Sequence, residues 1–198
     1  MTLLPRWPLL AACLLVPACA ELGPVTRAEP GLTETWRDDT VSFRERPDFD
    51  ASAWRGVRAG PVRVLLPEAM AAEDRAALEE IRSALETALA RSPAGRTGQG
   101  GDILTLETTI ADVRLIDPAL NVVSAVAVFV PLDTGAMTVT ATWRDPSGRI
   151  LAARTDRITG SPLDIRNALS RNGRLQTAAR DWADACGSWP GCLTRDGD

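Results

Sequence analysis

Residues 102–117 read DILTLETTIADVRLID, and residues 136–158 read AMTVTATWRDPSGRILAARTDRI. In the first stretch Leu104, Leu106, Thr108 and Ile110 alternate with Thr105, Glu107 and Thr109, the period of a strand with one buried and one wet face. In the second, Met137, Val139, Ala141 and Trp143 alternate with Thr138, Thr140, Thr142 and Arg144. Asp145-Pro146-Ser147-Gly148 then supplies a fixed φ and a permissive glycine, so the chain reverses into a further strand over 150–158. A strand followed by a hairpin is the frame on which the other elements are placed.

Upstream, Trp54 to Pro67 alternates apolar residues with arginine and reads as a strand with Val62, Val64 and Leu66 on one side. Pro61 cannot donate to a ladder and marks a bulge or an edge. Ala71 to Arg91 reads as a helix, because Leu78, Ile81, Leu85 and Leu89 recur at spacings of three and four. Glu73 and Asp74 suit its positive end, and Ser92-Pro93 stops it. Glycine-rich 94–101 lacks the ending of a phosphate loop and precedes a strand, so it reads as a connector. Leu163 to Leu169 reads as a short helical turn, and Leu175, Ala178, Ala179, Trp182 and Ala185 mark one face of a second helix. The expected fold is α+β: a single mixed or antiparallel sheet of about four strands with two helices packed on one face.

The ends of the chain carry a different signal. Arg6 closes a basic leader, Trp7 to Val16 is an apolar run of export-signal length, and small residues follow at Ala18 and Ala20. Two processing readings stay open. Val16-Pro17-Ala18-Cys19 is similar to a bacterial lipobox, which makes Cys19 the acylated first residue of the mature chain. Ala18-Cys19-Ala20 is also an ordinary secretory cleavage pattern. The expected division is a lipoprotein-type signal over 1–18, a lipid-anchored tether and extended arm over 19–49, and one globular domain over 50–198. Within the arm only Val41 and Phe43 alternate, as a weak edge strand would. Export places the chain in an oxidising compartment, where Cys186 and Cys192, separated by a Gly- and Pro-containing loop, are expected to pair as a disulfide.

Composition narrows the chemistry. The 198 residues contain no His and no Tyr, and all 22 positive side chains are arginine. Imidazole acid/base work, a lysine Schiff base and a histidine-bound metal are therefore excluded, and no cofactor or metal is expected. A net charge of −4 does not suit a nucleic-acid surface. Glu107, Asp112 and Asp117 are acids near an unusual segment, Ala119 to Leu132, which has fourteen residues without a charge. As a helix it would span about 21 Å, short of the roughly 30 Å hydrocarbon core, so it does not cross a bilayer alone. It is expected to be core or a contact surface for a partner or lipid, with Leu120, Val123 and Phe129 as the contact residues.

Several short segments resemble a known family: Arg55-Gly56-Val57 with Pro61-Val62, Asp117-Pro118-Ala119-Leu120-Asn121-Val122-Val123, and Val130-Pro131-Leu132-Asp133-Thr134-Gly135. Arg144-Asp145, Ser147-Gly148 and Leu151-Ala152-Ala153 follow. Together, over about Phe43 to Trp182, they are similar to the Gram-negative lipoprotein family catalogued as domain of unknown function thirty-three-thirteen. The resemblance implies an envelope lipoprotein with no assigned activity and no catalytic residues to carry over. The expected role is a non-enzymatic binding or assembly module facing the periplasm, anchored in the outer membrane through its N-terminal lipid, with an envelope protein or a second copy as partner. The alternatives are a membrane-active or oligomeric secretion or permeability component using 119–132, and an enzyme of unknown reaction.

Overall fold

The computed structural model describes residues 30–92, 102–117, 133–167, 169–187 and 190–193. Six strands form one mixed sheet in the order β1-β2-β6-β5-β4-β3. They are β1 Thr33–Arg37, β2 Val41–Glu45, β3 Gly56–Val64, β4 Ile103–Arg114, β5 Ala136–Arg144 and β6 Ile150–Thr159. β3 pairs with β4 in parallel, and every other pair is antiparallel. A parallel pair needs a crossover, and α1, Ala72–Arg91, lies in the β3–β4 connection. The second helix, α2, is Gly173–Gly187.

The expected α+β class with two helices holds, but the sheet has six strands, not about four. Residues 33–45, expected as an arm with at most a weak edge strand, supply the other two. Their sequence is mostly polar because β1 is an edge and β2 is inward-facing mainly through Phe43, which is 3% exposed. One buried aromatic gives little periodicity to read.

Register decides which residues face the helices. Val57 pairs with Leu104; Leu106, Trp143 and Ala152 form one cross-strand row, and Val62, Thr108, Ala141 and Arg154 form another; all face the helix layer. Leu78, Ile81, Leu85 and Leu89 of α1 close over this face and are all buried, as their spacing requires. α2 adds Leu175, Ala179, Trp182 and Ala183. Each large apolar side chain buried here contributes on the order of 1.5 to 3 kcal/mol. Val62 is buried as expected, whereas Leu66 lies past the end of β3 and is exposed. Residues 163–167 form turns and no helix.

Candidate functional site

One end of the sheet is where β3, β4 and β6 finish and β5 begins, and two buried charges organise it. The Asp133 carboxylate accepts the Asp117 N–H at 2.8 Å, the Arg114 guanidinium at 2.5 Å and the Gly135 N–H at 3.3 Å. Burial pushes its pKa up; the three donors, with the Arg114 charge, outweigh that and hold it below the ordinary carboxylate value. The two ends of the 118–132 connection are thereby pinned to each other.

Arg174, in the first turn of α2, is fully buried. Its guanidinium donates to three backbone carbonyls, those of Asp164 at 3.0 Å, Asp133 at 3.0 Å and Pro162 at 3.4 Å. A buried cation must be satisfied by oriented acceptors, and here they come from two different connections, so Arg174 fixes the loop after β6 against the start of β5. Space is tight at this junction. A Cβ at Gly160 would collide with the Thr134 carbonyl and with Arg174 Cβ, and Gly135 has a φ of +69° with the Arg114 carbonyl 3.1 Å from its Cβ position. Asn172 Nδ2 donates to the Ala77 carbonyl at 3.2 Å and to Glu80 at 2.8 Å, tying the same loop to α1.

Apolar side chains project from this framework. Leu163, Ile165 and Leu169 on the loop after β6 are 85%, 73% and 61% exposed, and Leu65 and Leu66 just beyond β3 are 54% and 48% exposed. These five are the exposed large hydrophobics among the described residues, and all lie beyond the same end of the sheet. Scattered single exposures are ordinary, whereas these five share one end of the molecule. Beside Leu65 and Leu66 is a cavity of about 320 Å³ also lined by Pro67, Met70, Leu78 and Asp112. A second cavity of about 390 Å³ shares its Met70, Leu78 and Val113 walls and extends to Arg114 and Asp117. Asp112 sits at a φ of +49° in a bulge of β4, a left-handed conformation that aspartate tolerates better than most residues.

The acids considered from sequence are not brought together. Glu107 lies on the sheet face away from the helices and pairs with Arg144 at 3.0 Å, while Asp112 and Asp117 belong to the apolar end. Among the described residues no group of three or more His, Cys, Asp or Glu is placed to hold a metal ion. Cys186 and Cys192 are bonded to each other. Cys19, Leu120, Val123 and Phe129 lie outside the described residues.

A second buried network was not foreseen. Arg154 Nε donates to Asp156 at 2.9 and 3.1 Å, Trp182 Nε1 donates to Asp156 at 2.9 Å, and Arg154 Nη1 donates to the Cys192 carbonyl at 3.1 Å. The guanidinium also sits 5.4 Å from the Trp36 ring centre. It joins β6, α2, the disulfide turn and β1.

A family model described as Protein of unknown function (DUF3313) matches residues 28–186. No curated protein matches the chain. Two PelC dodecamer structures from Paraburkholderia phytofirmans are similar at 13% identity and a TM-score of 0.36, covering 73% of this chain and 94% and 93% of theirs. A Xanthomonas campestris protein of the DUF330 family model is similar at 12% identity and a TM-score of 0.30, over 75% of this chain and 89% of that one.

Proposed function

The chain belongs to the DUF3313 family of proteins of unknown function, and we propose that it is a non-enzymatic binding or assembly module of the cell envelope. In this reading it faces the periplasm, is held by lipid on Cys19, and engages another envelope protein or a second copy of itself through the apolar end of its sheet. The observation that carries the reading is the confinement of Leu65, Leu66, Leu163, Ile165 and Leu169 to that end. The Asp133 and Arg174 clamps support it, since a contact patch on a fixed loop loses less conformational entropy on binding than one on a free loop.

The test uses the exposed loop residues, whose replacement leaves the core alone. Leu163→Ser with Ile165→Ser is expected to abolish co-purification or self-association seen by cross-linking in envelope fractions and by light scattering. The melting temperature should stay within about 2 °C, because surface changes away from special features move stability little. Unchanged association in the double variant would overturn the assignment of this end as the contact.

A further inference from the structure

The sheet face turned away from α1 and α2 carries the side chains that alternate with the core set. Register places Arg37, Arg58, Arg63 and Arg157 on it, each exposed, on β1, β3, β3 and β6. Two other arginines of this face have acids of their own: Arg44 with Glu34 at 3.6 Å and Arg144 with Glu107 at 3.0 Å. The first four make no ion pair among the described residues, and their side chains are open to solvent. An excess of cation on one face of a chain whose net charge is −4 is a segregation of charge that composition alone conceals.

We propose that this face docks on an anionic phospholipid surface. Three observations select that occupant. β1 and β3 are opposite edges of six strands, so Arg37 and the β3 pair are about 24 Å apart at the usual strand spacing. A small anion meets one or two such guanidiniums, whereas a headgroup layer meets all four at once. Next, the floor between them offers little for recognising a hydroxyl-rich ligand. Thr138 and Thr140 are buried, Thr140 is hydrogen-bonded to Thr155 at 3.2 Å, and the face presents no aromatic ring among the described residues on which a sugar would stack. Charge is what remains accessible. Last, β1 is the first strand and an edge of the sheet, so the 32 residues before it join the fold at this edge. Fourteen residues from Cys19 to Thr33 reach at most about 50 Å, which holds a tethered sheet within range of the bilayer. The proposal takes only the envelope location from the proposed function and is independent of the apolar end.

The experiment uses the full chain carrying Cys19→Ser, so that no acyl group supplies the binding. It is sedimented with vesicles of pure phosphatidylcholine and with vesicles containing phosphatidylglycerol. Binding to the phosphatidylglycerol vesicles alone is expected, falling steeply between 0.1 and 0.5 M salt; insertion of the apolar leader would act on both vesicle types alike. Replacing Arg37, Arg58, Arg63 and Arg157 with Gln is expected to weaken binding by about tenfold or more with unchanged melting, given the cost of removing each basic residue near a charged surface. Arg75→Gln with Arg180→Gln, on the helices, should leave binding as it was. Equal binding to both vesicle types, no binding, or full binding by the fourfold variant would each overturn the proposal. So would competition by a soluble acidic polysaccharide at lower charge concentration than the vesicles, which would assign the face to a glycan. Loss of vesicle binding with protein association intact, and the reverse in the Leu163/Ile165 variant, keep the two surfaces distinguishable.

Discussion

At the scale of single residues, Asp133 shows how a side chain with an ordinary sequence context becomes a structural centre. It follows an uncharged segment and precedes Thr134-Gly135, so it reads as a turn residue; its three donors make it a buried acceptor site. Asp133→Asn replaces one acceptor oxygen with an NH₂ that faces a donor, leaving at least one N–H unpaired. A loss of about 1 to 2 kcal/mol at pH 7 is expected, within the range for charge-assisted hydrogen bonds and discounted because Arg114 is largely exposed. The sign with pH follows from the direction of the shift. A carboxyl held below its ordinary value when folded contributes its full stabilisation above the unfolded pKa of about 4 and loses it as pH falls through the lower folded value. The gap between wild type and variant, measured by denaturant titration, should therefore be constant from pH 7 to about 5 and narrow below about 4. A gap unchanged at pH 2.5 would show that the carboxylate charge is not what matters. Arg154 and Asp156, by contrast, were open to the period-two argument: Ala152 and Ile158 belong to the core row of β6, so 154 and 156 must face inward too. Nothing in the sequence around Arg174 distinguishes it from Arg180, the exposed arginine of the same helix.

At the scale of elements, the disulfide turn gives the second prediction. Cys186 ends α2, and Cys192 lies six residues on in a short 3-10 turn whose carbonyl is an Arg154 partner. Closing so short a loop removes unfolded-state entropy worth about 2 kcal/mol. Cys186→Ser with Cys192→Ser should lower stability by about that much or somewhat more, because the residue-192 carbonyl that accepts from Arg154 then sits on a turn that is free to leave. The reduced wild-type protein should melt at the same temperature as the variant; an oxidised protein no more stable than the reduced one would mean the turn is held by its packing alone. The elements themselves were largely legible where one face is apolar. β4, the β5–β6 hairpin and α1 carry strict periods over many turns or pairs, so their register and burial follow directly. β1 and β2 were not, because an edge strand and its neighbour bury few side chains and leave only the short Val41 and Phe43 alternation. The apolar end was not legible: Leu163, Ile165 and Leu169 read as a helical turn, since exposure cannot be told from burial in a short apolar run, and 119–132, expected as core or a contact surface, lies outside the described residues.

At the scale of the whole molecule, what a sequence average hides is where charge and apolar surface are placed. The same chain carries an arginine face on one side of its sheet and an apolar patch at one end, and strand order alone brings these residues together. Arg37 and Arg157 are 120 residues apart, yet both project from the face away from the helices because β2 pairs with both β1 and β6. For both surfaces to work as proposed, the molecule must lie near a bilayer, and Cys19 is the residue proposed to hold it there. A lone myristoyl-length chain binds only marginally, whereas a diacylglyceryl thioether with an N-acyl group buries far more CH₂, at about 0.8 kcal/mol each. The mature chain is therefore expected to partition into the detergent phase of Triton X-114, with labelled palmitate incorporated. Cys19→Ser should leave the chain unprocessed or move it to the aqueous phase while its folding, read from the melting transition, is unchanged. Intact-mass data showing a mature chain that begins at Glu21 without added mass would favour the Ala18-Cys19-Ala20 cleavage instead. The arginine face would then have to hold the bilayer with no covalent lipid, and binding to anionic vesicles would become the dominant attachment, more sensitive to salt than any acyl anchor.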